Sequence, residues 1–285
     1  MKKSIKYVSF LNVIINVFLF LIKITAGFFF SNMSLIADSF NSLTDIISAT
    51  IICFTVKINN LKADSDHQFG HSRAENIAGY TIGILMIVLA FNLFLMVYDK
   101  IINHVPSVYN NLLLLVSIIT LVCKIGMFFI VGYVLKHNDS PALKANRQDH
   151  LNDVFIISSI LLSIILLRYS INLDIFFATI IGIYILINGI KICFENINHL
   201  MGIKAPDDLI EKIKMIALSN KDVKGLNDIF TQYLGNKIQV EIHIEVNNQM
   251  TIKQAHDIAN SVKKQILKLE FVNNCFVHID EYKNM

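Results

Sequence analysis

Long apolar runs fill roughly the first two thirds of this chain, and short alternating patterns follow them. A helix needs about 20 mostly apolar residues to cross a bilayer. Six stretches come near that length: Val8–Phe30, Ser34–Val56, Ile77–Tyr98, Leu112–Leu135, His150–Leu167 and Ile171–Ile190. The first loop, at Ser31–Asn32, is very short, so the first two helices form a hairpin. The fifth helix is expected to begin ahead of its apolar stretch, near Asn146. Pro106 and Pro141 are expected in loops, where a missing amide proton costs least. The first run is too long for the core of a signal peptide and lacks a small-residue cleavage site, so it reads as a retained membrane helix.

After about Asn198 the pattern changes, and Pro206 marks a boundary. Asp207–Leu218 reads as an amphipathic helix with acids at its positive end. Ile229–Tyr233 and Ile238–Val246 read as strands joined by a turn at Gly235–Asn236. In the second strand Ile238, Val240, Ile242, Ile244 and Val246 alternate strictly with polar residues. Thr251 caps a helix running to about Leu267, and Val272–Ile279 makes a last strand. The predicted fold is an all-α membrane bundle of six transmembrane helices over residues 1–204, then an α+β domain of order αββαβ over residues 205–285.

Composition supports this division. The 285 residues are 54% hydrophobic and only 16% charged, with a mean hydropathy of +0.55. Soluble domains run nearer a quarter charged. Most lysines and acids lie in the last third. A net charge of +3 gives no reason to expect a nucleic-acid partner. Cys53, Cys123, Cys193 and Cys275 are widely spaced with no CxxC, and the first three lie in apolar runs, where a buried inert thiol is expected. Short-loop charges set the orientation. Lys2, Lys3 and Lys6 precede the first helix; Lys57, Lys62 and Arg73 follow the second; Lys136, Lys144 and Arg147 follow the fourth. The other side carries little beyond Lys100 and Arg168, so both termini are expected in the cytoplasm.

Two of the apolar stretches carry pairs of oxygen-bearing side chains four residues apart. Asn41 and Asp45 lie on the second helix, Asp149 and Asp153 at the start of the fifth. A spacing of four puts two side chains on one helical face. A carboxylate in a membrane helix faces a partner, a water-filled cavity or an ion path. Two such pairs meeting in a bundle offer a cation one amide oxygen and three carboxylates. Hard oxygens suit manganese and magnesium and, less well, ferrous iron, whereas imidazole favours zinc and copper. His150 adjoins Asp149, but one residue rotates a side chain by about 100°. Its ring is expected to point away from the shared face and to be structural.

Lys23, near a helix end, is expected to snorkel. Lys124, nearer mid-helix, either offsets negative charge when the cation leaves or forms a structural ion pair. Asp38 either supports the site or serves helix packing. The loop from Leu61 to Glu75 holds Asp64, Asp66, His67 and His71 within eight residues. Its spacing fits a metal site and a solvated polar loop equally.

Taken together these residues resemble the cation diffusion facilitator family of divalent-metal exporters. The most specific match is Asp64…His67-Gln-Phe69-Gly70-His71…Arg73-Ala-Glu75, similar to the family's acidic-x-x-His-x-Phe-Gly-His-x-Arg/Lys-x-Glu signature. Ser34-Leu-Ile-Ala-Asp38-Ser-Phe-Asn41-Ser-Leu-Thr-Asp45 is similar to its second helix, and Ser140-Pro-Ala-Leu-Lys-Ala145 leading to Asp149 and Asp153 to its fifth. The resemblance makes Asn41, Asp45, Asp149 and Asp153 the transport site. It implies metal binding at Asp64, His67 and His71, and at His243, His256, His278 and Asp280 in the tail. His278 and Asp280 alternate on a strand and so face one way. Two positions depart from the family pattern. Asn227 stands where relatives carry a tail histidine, and Gly202 where relatives often carry an Asp that pairs with the loop's basic residue, here Arg73.

The resemblance implies a multi-pass protein of the bacterial cytoplasmic membrane, surrounded by lipid and acting as a homodimer docked through its tails. It implies a metal/proton antiporter working by alternating access rather than an enzyme, with no organic cofactor. The oxygen-only set resembles the bacterial manganese-efflux branch, in which Mn2+ is the substrate and Zn2+, Fe2+, Cd2+ and Co2+ are alternatives. With metal bound, three negative charges face two positive ones. A zinc or iron(II) exporter is the runner-up within the class, and a membrane metal sensor without net transport is the competing class. A membrane enzyme ranks third, because no nucleophile or general-base cluster stands beside the four ligands.

Overall fold

The computed structural model describes residues 2–59, 61, 63–135, 141–235 and 237–282. The side chains of Lys2, Lys3, Lys6, Cys53, Lys57 and Ala145, and residues Lys62, Lys136, Ser140 and Asn236, lie outside what is described. Six long helices come first: α1 (Lys2–Phe29), α2 (Met33–Asn59), α3 (Ala74–Ile102), α4 (Asn111–Leu135), α5 (Pro141–Leu167) and α6 (Asp174–Leu200). The tail follows as α7 (Asp207–Leu218), β1 (Val223–Leu234), β2 (Lys237–Val246), α8 (Ile252–Ile266) and β3 (Val272–Glu281), in the expected αββαβ order. The chain packs as two compact units. One is Met1–Ile52 with Thr81–Cys193; the other is Cys53–Tyr80 with Phe194–Met285.

Among the described residues, five helices are long and apolar enough to cross a membrane: Phe10–Phe29, Ala74–Ile102, Asn111–Leu135, Asn146–Leu167 and Asp174–Leu200. The sequence pattern predicts six. Helix α2 carries Ser34, Asp38, Ser39, Asn41, Ser42, Thr44 and Asp45 in its first half, and the side chains of residues 52–57 in its second half lie outside what is described. Six of those seven side chains are buried, so the polar load of α2 is turned into the bundle. Elsewhere the bundle is apolar on its outside. Phe91, Leu95, Val122, Phe129, Phe155 and Phe176 are all well exposed. That inversion is the mark of a protein whose solvent is lipid.

Several boundaries move for local reasons. Pro141 opens α5 rather than lying in a loop. The first helical position needs no amide proton, so proline fits there with its φ already set. The sixth helix starts at Asp174, not Ile171, because Asp174 serves as a buried anchor. Its carboxylate accepts hydrogen bonds from Met33 N (2.9 Å), Ser34 N (2.8 Å), Ser34 Oγ (2.8 Å) and Ser107 Oγ (2.9 Å). It thereby caps the N-terminus of α2, where a negative charge is favoured. Lys100, expected among the loop charges, is buried instead. It pairs with Asp174 at 2.8 Å and also donates to Ser31 O and to Ser107 Oγ. Lys23 does not snorkel either. It is fully buried and donates to Asp38 Oδ2 (2.8 Å), Asp38 O (2.9 Å) and Ser42 Oγ (2.7 Å), which ties α1 to α2. Asp38 therefore serves this clamp. Helices α3 and α6 approach through Gly83 and Gly189, where a Cβ on either would meet the other's carbonyl oxygen at 2.8 or 3.0 Å.

In the tail, β2 pairs antiparallel with β1 and parallel with β3, in the order β1-β2-β3. The alternating Ile238, Val240, Ile242, Ile244 and Val246 are buried with Ala255, Ile258, Ala259, Val262 and Ile266 of α8. Thr251 and Gln254 cap α8 reciprocally. Leu234 pairs with Lys237 on either side of the expected turn, of which Asn236 lies outside the described residues. Gly235 takes φ +65° there, a conformation glycine adopts without a Cβ penalty. The strand β1 starts six residues earlier than its alternation predicts. A register shift between Leu226 and Ile229 sets Asn227 and Asp228 against the single residue His243, and such a bulge breaks the period.

Asp174→Ala should be strongly destabilising, because it strands the buried Lys100 ammonium and uncaps α2. Losing one partner of a buried ion pair costs roughly 3–5 kcal/mol. Thermal melting in detergent would show it; a wild-type melting temperature would mean that the pair is not an anchor.

Candidate metal centres

The first cluster lies where α1, α2, α4 and α5 meet. Asn41 donates through Nδ2 to Asp153 Oδ1 at 2.9 Å. The other oxygen of Asp153, Oδ2, lies 2.5 Å from the Lys124 ammonium. Lys124 also reaches Asp45 Oδ2 at 3.8 Å and donates to Asn16 Oδ1 at 2.8 Å. Asn16 in turn donates to Asn12 Oδ1 at 3.0 Å, one turn back on α1. Asn16, Asn41, Lys124 and Asp153 are all buried. Two of the four expected ligands, Asp153 and Asp45, thus meet one ammonium, and a third, Asn41, is bonded to Asp153. Asp149 is exposed, one turn earlier on α5, and the carboxylates of Asp45, Asp149 and Asp153 do not gather within 4.8 Å of one another. The sequence reading left Lys124 undecided and overlooked Asn12 and Asn16. Their spacing of four in an apolar helix is the same signal that marked the other pairs. His150 is 2% exposed, and neither ring nitrogen has a hydrogen-bond partner among the described residues.

Among the described residues, two further clusters have metal-ligand geometry. In the loop between α2 and α3, Asp64 Oδ1 lies 3.3 Å from His67 Nδ1, and Asp64 Oδ2 lies 3.3 Å from His71 Nε2. The two rings are 4.5 Å apart. Asp64 also accepts from the backbone amides of His67 (2.6 Å) and Asp66 (3.0 Å). Those amide donors hold its carboxyl below the usual range. Asp66 offers no side chain to the trio.

In the tail, Asp280 Oδ2 lies 3.4 Å from His243 Nδ1, and Asp280 Oδ1 lies 3.3 Å from His278 Nε2. Strand pairing sets His243 beside His278, with ring centroids 4.6 Å apart. His256 does not join them. It is exposed on α8, with Nε2 2.8 Å from Asn260 Nδ2, while α8 packs on the face formed by the alternate β2 residues. Successive strand residues point to opposite faces, so His243 and His256 are separated by the sheet.

A family model described as the cation efflux transmembrane domain matches residues 9–201. A second, described as the cytoplasmic domain of cation efflux proteins, matches residues 205–282. The chain belongs to the cation-efflux, or cation diffusion facilitator, family. It is 32% identical over 271 residues to an uncharacterised transporter of Methanocaldococcus jannaschii, covering 95% of this chain and 96% of that one. It is 30% identical over 263 residues to the cation-efflux pump FieF of Escherichia fergusonii, covering 92% of this chain and 88% of the pump. A nickel-form structure of a MamM CTD variant aligns with 27% of this chain and 100% of its own, at 22% identity and a TM-score of 0.27. This cation-efflux protein is accordingly a multi-pass membrane transporter with a cytoplasmic C-terminal domain, and its substrates are divalent metal cations.

The two departures from the family pattern have structural consequences. Arg73 donates to Gln232 Oε1 at 3.2 Å, so a neutral amide receives the guanidinium. Gly202 sits at φ +85°, where a Cβ would stand 3.3 Å from that same Gln232 oxygen. Asn227, placed by the β1 bulge, donates to Asp280 Oδ2 at 2.9 Å. That bond is the main reason the Asp280 carboxyl is held below the usual carboxylate range; the nearby histidines contribute less.

Asn227→Ala should therefore raise the Asp280 pKa towards its ordinary value of about 4. The folded value is depressed, so the bond stabilises the tail above the unfolded pKa, and the gain fades as pH falls through the folded value. The variant should be less stable than wild type at pH 7 and indistinguishable at strongly acid pH. A carboxyl NMR titration that left Asp280 unmoved would contradict this account.

Proposed function

We propose that this cation-efflux protein exports manganese(II) from the cytoplasm in exchange for protons, by alternating access, as a homodimer. Asn41, Asp45, Asp149 and Asp153 form the transport site in this reading. The observation that carries it is the meeting of Asp153 and Asp45 at one buried cationic point, the Lys124 ammonium, with Asn41 bonded to the other oxygen of Asp153. A cluster that holds a positive charge in an apolar bundle has the electrostatics a dehydrated metal ion needs. Asp149 completes the set when α5 shifts relative to α2 during the transport cycle. All six long helices cross the membrane; residues 1–204 form the transport domain and residues 205–285 the cytoplasmic domain. Both termini face the cytoplasm of a bacterial cell. The loop trio Asp64, His67 and His71 and the tail trio His243, His278 and Asp280 bind metal at the aqueous side.

Lys124 changes the charge count expected from the four ligands alone. Three carboxylates and one ammonium leave a surplus of two negative charges, which a divalent ion cancels. When the ion departs outward, protons on the carboxylates restore the balance. Uncompensated charge in a bilayer is costly, so a neutral cycle exchanges one metal for two protons. Selectivity follows from the donor set. Irving–Williams order opposes manganese, so the site must reject zinc by offering no nitrogen.

Asp45→Ala and Asp149→Ala should each abolish manganese uptake into inverted proteoliposomes, and the absence of any net flux in wild type would favour a sensor instead. A pH dye in the same vesicles should report about two protons per manganese, from the charge count above. Asp149→His should raise zinc transport relative to manganese. An unaltered preference would remove the donor-set argument.

A further inference from the structure

Both oxygens of Asp153 are already engaged. Asn41 presents its amide nitrogen to Oδ1, and the Lys124 ammonium occupies Oδ2. A metal ligated by Asp153 needs one of those oxygens, and Asn41 has to turn its own oxygen towards the ion, since an amide N–H donates and cannot ligate. The ammonium stands in the way twice. It covers a ligand atom, and its charge repels the cation. Lys124 is 2% exposed, so when it yields it needs another acceptor within the bundle. Among the described residues, its partner other than the site carboxylates is Asn16 Oδ1 at 2.8 Å. Asn16 is itself 3% exposed and fixed by its bond to Asn12. That acceptor comes from α1, which supplies none of the proposed metal ligands.

We propose that Lys124 is a tethered competitor of the transported cation: its ammonium holds Asp153 and Asp45 when the site is empty and withdraws to Asn16 when metal binds. This rests on the transport-site reading above. No proton is gained or lost by the lysine; it only exchanges hydrogen-bond partners. The occupied fraction sets the cost to affinity. An apparent Kd is the intrinsic Kd divided by the fraction of sites that are competent. A lysine that fills the site nine times in ten weakens binding about tenfold. The same competition gives metal release a built-in counter-ion, because the ammonium re-enters as the cation departs.

The test is manganese titration by calorimetry on the full-length protein in detergent, in an Asp64→Ala, Asp280→Ala background that removes the outer clusters. Lys124→Met should tighten Kd by at least tenfold, and an unchanged or weaker Kd overturns the proposal. Lys124→Arg keeps the buried charge, so it tests the idea even if the methionine variant does not fold. Arginine grips a carboxylate through two bonds, so its Kd should rise at least tenfold, and an unchanged or tighter value is contrary. Asn16→Leu should weaken binding about threefold or more with Lys124 present and have no effect in Lys124→Met, a coupling only a shared role produces. Equal weakening in both backgrounds assigns Asn16 a direct or structural role and overturns the withdrawal step. Asp153→Ala separates the two levels. If it binds manganese like its parent, the transport-site reading fails; if it abolishes binding while Lys124→Met does not tighten it, only the competitor fails.

Discussion

A charge buried among apolar helices must find its opposite within hydrogen-bond reach, and three lysines of this bundle do so. Lys23 meets Asp38, Lys100 meets Asp174 and Lys124 meets Asp153. Each pair joins different helices, so each fixes a packing relationship that apolar contact alone would leave loose. The pairs differ in how fully they are satisfied. Lys23 and Lys100 each add two further acceptors from the backbone or a serine, and every one of those contacts is short. Lys124 adds one neutral acceptor and a second carboxylate at 3.8 Å. The first two pairs close polar groups off. The third leaves Asp45 half-open, with its side chain 38% exposed.

Much of the fold can be read from the sequence because its signals are redundant. Each apolar run of α1, α3, α4 and α6 exceeds what a soluble helix needs, and the strict alternation in β2 admits one face only. The misreadings fall where a polar side chain does structural work at long range. Asp174 looks like an interruption of an apolar stretch, yet it is the acceptor that stops α2 from fraying. Lys23 looks free to snorkel because its partner Asp38 lies 15 residues away on the next helix. Pro141 looks like a loop residue because the pattern does not distinguish a loop from a first helical turn. The β1 bulge hides the first six residues of the strand from any period-two reading.

The candidate site was legible in its parts and not in its assembly. The i,i+4 pairs on α2 and α5 follow from helix geometry, and Asn41 and Asp45 each reach one member of the Asp153–Lys124 pair. That Asp149 stands outside the cluster could not be foreseen, because spacing along one helix says nothing of its rotation against another. The tail shows the same limit from the other side. His243, His278 and Asp280 assemble because strand register is fixed by the buried isoleucines of β2, whereas His256 sits on a helix across the sheet. The bulge then supplies what the missing histidine would not: Asn227 keeps the Asp280 carboxylate ionised and oriented.

The three clusters also divide by donor chemistry in a way that follows from their surroundings. The proposed intramembrane site offers oxygens alone, while both aqueous-side trios pair two imidazoles with one carboxylate. Imidazole holds zinc and copper well, and carboxylate and amide oxygens hold harder ions. A nitrogen donor deep in the bundle would favour the softer ion, and the proposed site carries none. In the loop and the tail, two imidazoles apiece give the trios the opposite preference. The loop trio lies two residues from Arg73, whose guanidinium rests on Gln232 of β1, and Ser72 touches Gly235 at the hairpin turn. A divalent ion at Asp64, His67 and His71 would add its charge beside this polar contact between the loop and the sheet. Because that contact is to a neutral amide, the added repulsion on Arg73 is not buffered by a facing carboxylate.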